Sequence, residues 1–293
     1  MSSELEPRAI RGQGQPTTSA IECAGFTFIG ASVAAYTTFV LCPQVRVVFD
    51  MGSVIEEMLP IDHVLITHGH QDHLLGLTRY VGLRRLQHMR PPTVLAPAEI
   101  VEPIRHLFAV WQELESEGRR TPPEVDLVPV VAGQEVPLSG KLVARVFAVA
   151  HTLPSVGYTI IERTRKLKAE YRGLPGATIA DLRAGGVEVA APVDAHLVTY
   201  IGDTLPETLD RTPEMALSRV IIVECTFLRP EHVALAIERG HVHIQHVIER
   251  LERFGDADII LTHFSRRYRR RDIEELVRTQ WPREHADRLH VLI

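Results

Sequence analysis

Apolar and polar positions along this chain fall into short blocks of two kinds. Ile21–Ile29, Thr37–Leu41 and Val45–Phe49 are strand-like runs, and the last closes on the turn Asp50-Met51-Gly52. His63–Thr67 is a short apolar strand, after which Leu74, Leu77 and Val81 recur at helical spacing. Thr93–Ala96 is another strand, and Ile100–Glu117 a long helix whose end is marked by Gly118 and Pro122–Pro123. The second half repeats this style, with strands at Leu142–Val149, Gly157–Ile161, Leu197–Ile201, Val220–Val223 and Asp258–Leu261. Helices fall near Pro230–Arg239 and Ile244–Phe254, while Arg163–Gly186 is polar and carries glycines. Two strand-rich halves, each decorated with helices, predict an α/β chain of two sheets packed face to face with helices outside. No short repeat and no linker interrupts it, so residues 21–293 read as one domain with a protruding insertion at 163–186. Residues 1–20 read as a polar tail.

Composition narrows the setting. The 293 residues, 45% apolar and 24% charged, suffice for one sizeable core or at most two small ones. No apolar run approaches the ~18 residues of a membrane helix, and the first twenty residues lack a secretory core. A cytoplasmic protein without membrane contact is expected. Cys23, Cys42 and Cys225 are scattered and odd in number, against a disulfide framework and against thiolate-held zinc. The net charge of −5 excludes a generic nucleic-acid binder, so contact with nucleic acid has to use local basic patches.

The sharpest chemical signal is Thr67-His68-Gly69-His70-Gln71-Asp72-His73, directly after an apolar strand. A strand end presents alternate side chains on one side, and a tight turn brings the next ones around. Four nitrogen and oxygen ligands in so short a stretch crowd their lone pairs unless cations sit between them. Imidazole and carboxylate suit zinc, with manganese or iron(II) as competitors. The bland alternative is a polar loop before a helix, with Asp72 as its cap.

This HxHxDH string is the signature of the metallo-β-lactamase superfamily, which the chain also resembles in His151, Asp203 and His263, each placed where an apolar strand runs out. The resemblance implies a four-layer αββα sandwich holding two Zn2+ ions. His68, His70 and His151 would hold one metal, Asp72, His73 and His263 the other, with Asp203 bridging. Two such cations, ~3.5–4 Å apart, share a hydroxide and clamp the oxygens of an in-line displacement. Asp50 is either a partner that orients a ligand or an Asx-type turn residue before Gly52.

Further stretches single out one branch. His151–Tyr158, Arg165–Gly176, Glu224-Cys225-Thr226-Phe227, Gly240-His241 and Thr262–Tyr268 resemble ribonuclease Z, the tRNA 3′-processing endonuclease, in its short plant-type form. The likeness implies attack by the shared hydroxide on a backbone phosphorus of precursor tRNA, with Asp72 orienting it or taking its proton. Glu224 and His241 would deliver a proton to the departing 3′-oxygen; His243 is the lesser candidate. Without the family, Glu224 reads as a salt-bridge partner and His241 as a helix-start residue. The insertion would be an arm gripping tRNA through Arg165, Lys166, Lys168 and Arg172, against the alternative of a solvated hairpin. Arg266 and Arg267 open a second basic run, which holds acceptor-stem phosphates or simply starts a solvated helix. Relatives of this kind form homodimers in which one subunit's arm serves the other's site. The chain departs from bacterial members at Ile29–Tyr36, where they carry a glycine-rich turn. Competing readings are a phosphodiesterase acting on other RNA or small esters, a lactonase or thioesterase, and a metal-free RNA-binding protein.

Overall fold

The computed structural model describes residues 17–115 and 125–293. The run at Ile21–Ile29 is not one strand. Ala24 and Gly25 turn it in left-handed backbone (φ 47° and 80°) into a hairpin of β1 (Ser19–Cys23) and β2 (Phe26–Val33). β1 begins inside the stretch read as a tail, of which residues 1–16 lie outside those described. Then come β3 (Thr37–Cys42), β4 (Val47–Phe49), β5 (His63–Leu65), α1 (Gln71–Leu74), α2 (Leu77–Leu86), β6 (Thr93–Pro97), α3 (Ala98–Glu115) and β7 (Asp126–Val130). The expected stop at Gly118 and Pro122–Pro123 is outside the described residues. The seven strands form one sheet in chain order, parallel from β4 to β7.

The second half supplies β8 (Glu135–Pro137), β9 (Leu142–Ala148), β10 (Val156–Leu167), α4 (Gly176–Ala184), β11 (Ala190–Tyr200), α5 (Pro206–Arg211) and β12 (Val220–Glu224). α6 (Val233–Glu238), α7 (Ile244–Ile248), β13 (Asp258–Thr262), α8 (Arg270–Gln280) and β14 (Leu289–Val291) complete it. Its seven strands also lie in sequential order, parallel from β11 to β14.

Strand alternation sorts the core into layers. Val47 and Phe49 of β4 face inward and meet Tyr200, Val220 and Ile222 of the other sheet. Val48 points outward with Val64 and Val94, onto Leu77, Tyr80, Ile104 and Phe108 of α2 and α3. In the second sheet, Ile221, Val223 and Leu261 point outward onto Val247, Ile273 and Val277. Strands buried on both faces read as continuous apolar runs. This is the αββα sandwich that the sequence resemblance implies.

Topology puts the site at one edge. β9 and β11 are both antiparallel to β10, so β9, β11, β12 and β13 end on the same side. The loops after β9, β11 and β13 carry His151, Asp203 and His263, and those after β4 and β5 bring Asp50 and the His68–His73 stretch to meet them. Ligand sites in open α/β sheets form at such strand ends.

The insertion is built differently from a simple polar loop. β9 pairs with β10 only as far as Glu162, whereas β10 and β11 stay paired to Leu167↔Ala190. Beyond the sheet they form a two-stranded ribbon tipped by α4, none of whose residues is buried. The return strand begins at Ala190, past the boundary read at Gly186, because both ribbon faces are exposed and no apolar alternation marks it. Arg163 fixes the base, pairing with Asp194 and Glu135 at 2.8 Å each.

Arg84 of α2 is buried, and its guanidinium donates to the carbonyls of Leu59 (2.6 Å) and Ile61 (2.7 Å) and to Asp62 (2.7 Å). Burial raises the Asp62 carboxyl, but hydrogen bonds and charge from Arg84 and Arg46 outweigh it and hold it below the ordinary carboxylate range. This contribution to stability is therefore present above that range and lost as pH falls through the depressed value. Arg84→Met should cost about 3–5 kcal/mol, since it strands buried acceptors. Urea unfolding should show a lower midpoint, with the gap to the wild type narrowing as pH drops below about 4.

Candidate metal centre

His68 is fully buried where the chain leaves β5, and Asp72 and His73 occupy the first turn of α1. That turn lies against Gly52, where a Cβ would come within 1.9 Å of the Asp72 carbonyl oxygen, so only glycine fits. The rings converge: His68 Nε2 is 3.0 Å and His151 Nε2 3.4 Å from His70 Nδ1. His73 Nε2 lies 3.3 Å from His263 Nε2, which is also 3.3 Å from Asp72 Oδ2. Asp203 stands between the two groups, Oδ2 at 3.7 Å from His68 and Oδ1 at 3.3 Å from both His73 and His263.

Outer hydrogen bonds set the tautomers. His68 Nδ1 meets Thr67 Oγ1 (2.9 Å), His73 Nδ1 meets Asp50 (2.8 Å), His151 Nδ1 meets the Gly240 carbonyl (2.9 Å) and His263 Nδ1 meets Thr226 Oγ1 (3.0 Å). With the Nδ1 protons donated outward, all four Nε2 atoms face inward, as lone pairs wherever the ring is neutral. Asp203 Oδ1 is buried and has no hydrogen-bond partner among the described residues. Inward lone pairs around an unsatisfied carboxylate oxygen are costly unless a cation answers them, so the donor set fits divalent metal.

The electrostatics agree. Burial, reinforced by the neighbouring His73, pushes His68 well below the usual imidazole range and keeps it neutral. Burial likewise lowers His70 and His151. His73 moves the other way: burial disfavours its charge, but Asp203 and Asp50 raise it well above the ordinary value. A cation held by His73 would take the place of that proton. Asp50 and His263 both adopt left-handed backbone (φ 54° and 60°), strain of the kind that gathers at functional sites.

Beside this cluster, His241 Nδ1 bonds Glu224 Oε1 at 2.9 Å, and its ring stands 5.4 Å from that of His263. His243 belongs elsewhere, since Nδ1 accepts from Gln245 N at the start of α7 and Nε2 meets the Arg229 carbonyl. The basic candidates stand apart from the centre. Arg165 pairs with Glu188 (2.6 Å), Lys166 and Arg172 are exposed, and Lys168 is half-buried. Arg266 and Arg267 are exposed just after His263, and the same basic run continues into the first turn of α8. Sequence reasoning missed Thr67, Thr226 and Tyr200, each within three residues of a named candidate. A separate group, Cys23, Asp258 and His290, could also hold a cation, and Asp258 is at the start of β13, away from His263.

Residues 44–264 match the family described as "Beta-lactamase superfamily domain". The chain is 34% identical over 261 residues to tRNase Z TRZ1 of Arabidopsis thaliana, covering 88% of this chain and 92% of that one. The chain belongs to the tRNase Z family. Another member, the chloroplastic tRNase Z TRZ2 of the same plant, is 32% identical over 280 residues, covering 94% and 77% of the two chains. The crystal structure of human tRNase Z, short form, superimposes with a TM-score of 0.50 at 18% identity, over 84% and 88% of the chains, and shares the fold.

In this member of the tRNase Z family, Asp50 accepts the His73 Nδ1 hydrogen bond while its two oxygens also accept from Thr67 and Tyr200, so an amide NH2 in place of either oxygen would face a donor. Asp50→Asn should weaken divalent-metal affinity ~10–100-fold, measured by competition with a chelating dye.

Proposed function

We propose that this chain is a zinc-dependent endoribonuclease that removes the 3′ trailer from precursor tRNA. The observation that carries the reading is the Glu224–His241 pair at 2.9 Å beside the cation-fitting cluster. A phosphodiester whose leaving group is a ribose oxygen needs an acid there, whereas a thioester expels a thiolate that leaves without one. The family membership points the same way, since the relatives are named for tRNA.

In this reading His68, His70 and His151 would hold one ion and Asp72, His73 and His263 the second, with Asp203 standing between the two groups. Two bound zinc ions would supply Lewis acidity toward the phosphate and a water acidic enough to react near neutral pH. Asp72, steadied by the Ala35 N–H at 2.8 Å, would orient the attacking water or take its proton. His241 is buried, which opposes its charge, but the Glu224 carboxylate outweighs this and lifts it to about 9. It thus carries a proton at neutral pH and gives it to the departing 3′-oxygen. Arg165, Lys166, Lys168 and Arg172 on the ribbon grip RNA backbone, while Arg266 and Arg267 hold phosphates nearer the cut. We further propose a homodimer, supported by family likeness and by exposed Leu107, Val110, Trp111 and Leu114 at helical spacing on α3. No helix among the described residues is long and apolar enough to cross a membrane. A cytoplasmic setting suits the three buried, unbridged cysteines.

The deciding assay is cleavage of a 3′-extended precursor tRNA by zinc-loaded protein, beside an Asp72→Ala control and an aryl phosphodiester. A cut next to the discriminator base, leaving a 3′-hydroxyl and absent in the control, is expected. Turnover of the diester with intact tRNA would overturn the substrate. For the acid, His241→Ala should lower kcat by ~10²–10⁴. Glu224→Gln removes the charge that raises His241, so the alkaline limb of the pH–rate profile should move to lower pH.

A further inference from the structure

Tyr36 is 66% exposed, yet its backbone is among the best-fastened at the site's rim. Its N–H closes a turn onto the Val33 carbonyl (3.0 Å), and the turn is tied to both halves of the centre. Ala35 N–H donates to Asp72 Oδ2 (2.8 Å), Ala34 N–H to the Phe264 carbonyl (3.2 Å), and the His263 N–H to Ser32 Oγ (2.9 Å). Tyr36 is one Cα step, ~3.8 Å, beyond the residue that touches Asp72. Its backbone is therefore held beside the proposed reaction centre.

The ring is not alone. Arg266, three residues after His263, places its guanidinium carbon 5.2 Å over the ring centroid. One face is thus backed by a cation, and the high exposure leaves the opposite face to solvent. A large aromatic surface held open by four neighbouring backbone contacts does nothing for the core. It suits a flat, electron-rich partner, and every nucleobase offers a π-face of that kind. Such a partner has to be unpaired, because a base within a duplex is already stacked. While its plane covers the ring, the guanidinium keeps edge N–H groups for a phosphate.

We propose that Tyr36 and Arg266 form a stacking platform for one unpaired nucleobase adjoining the scissile phosphate, with Arg266 also contacting that nucleotide's backbone. The inference rests on the RNA-cleavage reading and adds to it a base-binding subsite that prefers unpaired nucleotides over any particular base. Its competitor is a purely structural clip, in which the cation–π contact only steadies the Val33–Tyr36 turn.

The test compares kcat/KM on intact 3′-extended precursor tRNA with that on precursors made abasic at either nucleotide flanking the cut. The wild type should favour the intact RNA over one abasic substrate by ~10-fold, the value of a single base–aromatic stack. In Tyr36→Ala that ratio should collapse to near one, and in Tyr36→Phe it should persist. Thermal unfolding of each variant reports any general loss of fold, which would lower both rates without changing their ratio. A wild type indifferent to both abasic positions, or a Tyr36→Ala variant that keeps the preference, overturns the platform while leaving the tRNA reading intact. A wild type that hydrolyses an aryl phosphodiester and no precursor tRNA overturns both.

Discussion

A single buried carboxylate holds the sandwich and its centre in register. Asp50 is fully buried and accepts from the Thr67 N–H (2.8 Å) and hydroxyl, from His73 Nδ1 (2.8 Å) and from the Tyr200 hydroxyl (2.8 Å). A charge removed from water costs several kcal/mol unless its oxygens are fully met, and here they are met from both sheets. Tyr200 belongs to β11 of the second sheet, while Asp50 follows β4 of the first. Closing the sandwich and aiming the His73 ring are therefore one interaction. The left-handed backbone at Asp50 then sends the chain into the turn where Met51 N–H meets the His73 carbonyl (2.7 Å) and Gly52 N–H meets that of Thr38 (2.9 Å).

The second sheet has its own counterpart, drawn out into a chain of contacts. Glu224 takes the hydroxyl of Thr226 on one oxygen and His241 Nδ1 and the Thr204 N–H on the other. Thr226 in turn meets His263 Nδ1, so the proposed proton donor and a proposed metal ligand share one carboxylate through one hydroxyl. Changing Glu224 disturbs both, and that is why a pH profile reports on its role better than a rate alone. Gly240 links this chain to the other group, since its carbonyl holds His151 and its left-handed backbone (φ 78°) leaves no room for a Cβ against Thr152.

The sequence carried the layered fold because the central strands are buried on both faces and read as unbroken apolar runs. It hid what lies at the margins. β8 and β14 have three residues each, too short for an alternation to show, and the narrow apolar face of α8, Ile273 and Val277, lies inside a stretch that reads first as a basic run. The turn at Ala24-Gly25 was lost inside an apolar-rich stretch. The candidate ligands were legible as residue types at strand ends. Their outer partners were not, because Thr67, Thr226 and Tyr200 act through hydroxyls whose direction no spacing rule specifies. His241 and His243 were told apart in the sequence by family resemblance alone, and the structure gives the physical reason: one faces Glu224, the other caps a helix.

An acidic chain that is to hold a polyanion has to keep its cations apart from its own carboxylates. At the base of the ribbon it does the opposite: Arg163 and Arg145 are both tied to Glu135 and Asp194, so their charge is used to aim the ribbon. Farther out, Arg165 is held by Glu188, which stiffens the neck where β10 and β11 have lost their other neighbours. Lys166 and Arg172 make no ion pair among the described residues, and they stand where the ribbon opens into its tip. The cations thus pass from paired to free along the ribbon, from a fixed pivot to a charged end. A projecting ribbon with its free charge at the far end is the geometry that the proposed grip on RNA away from the cut site calls for.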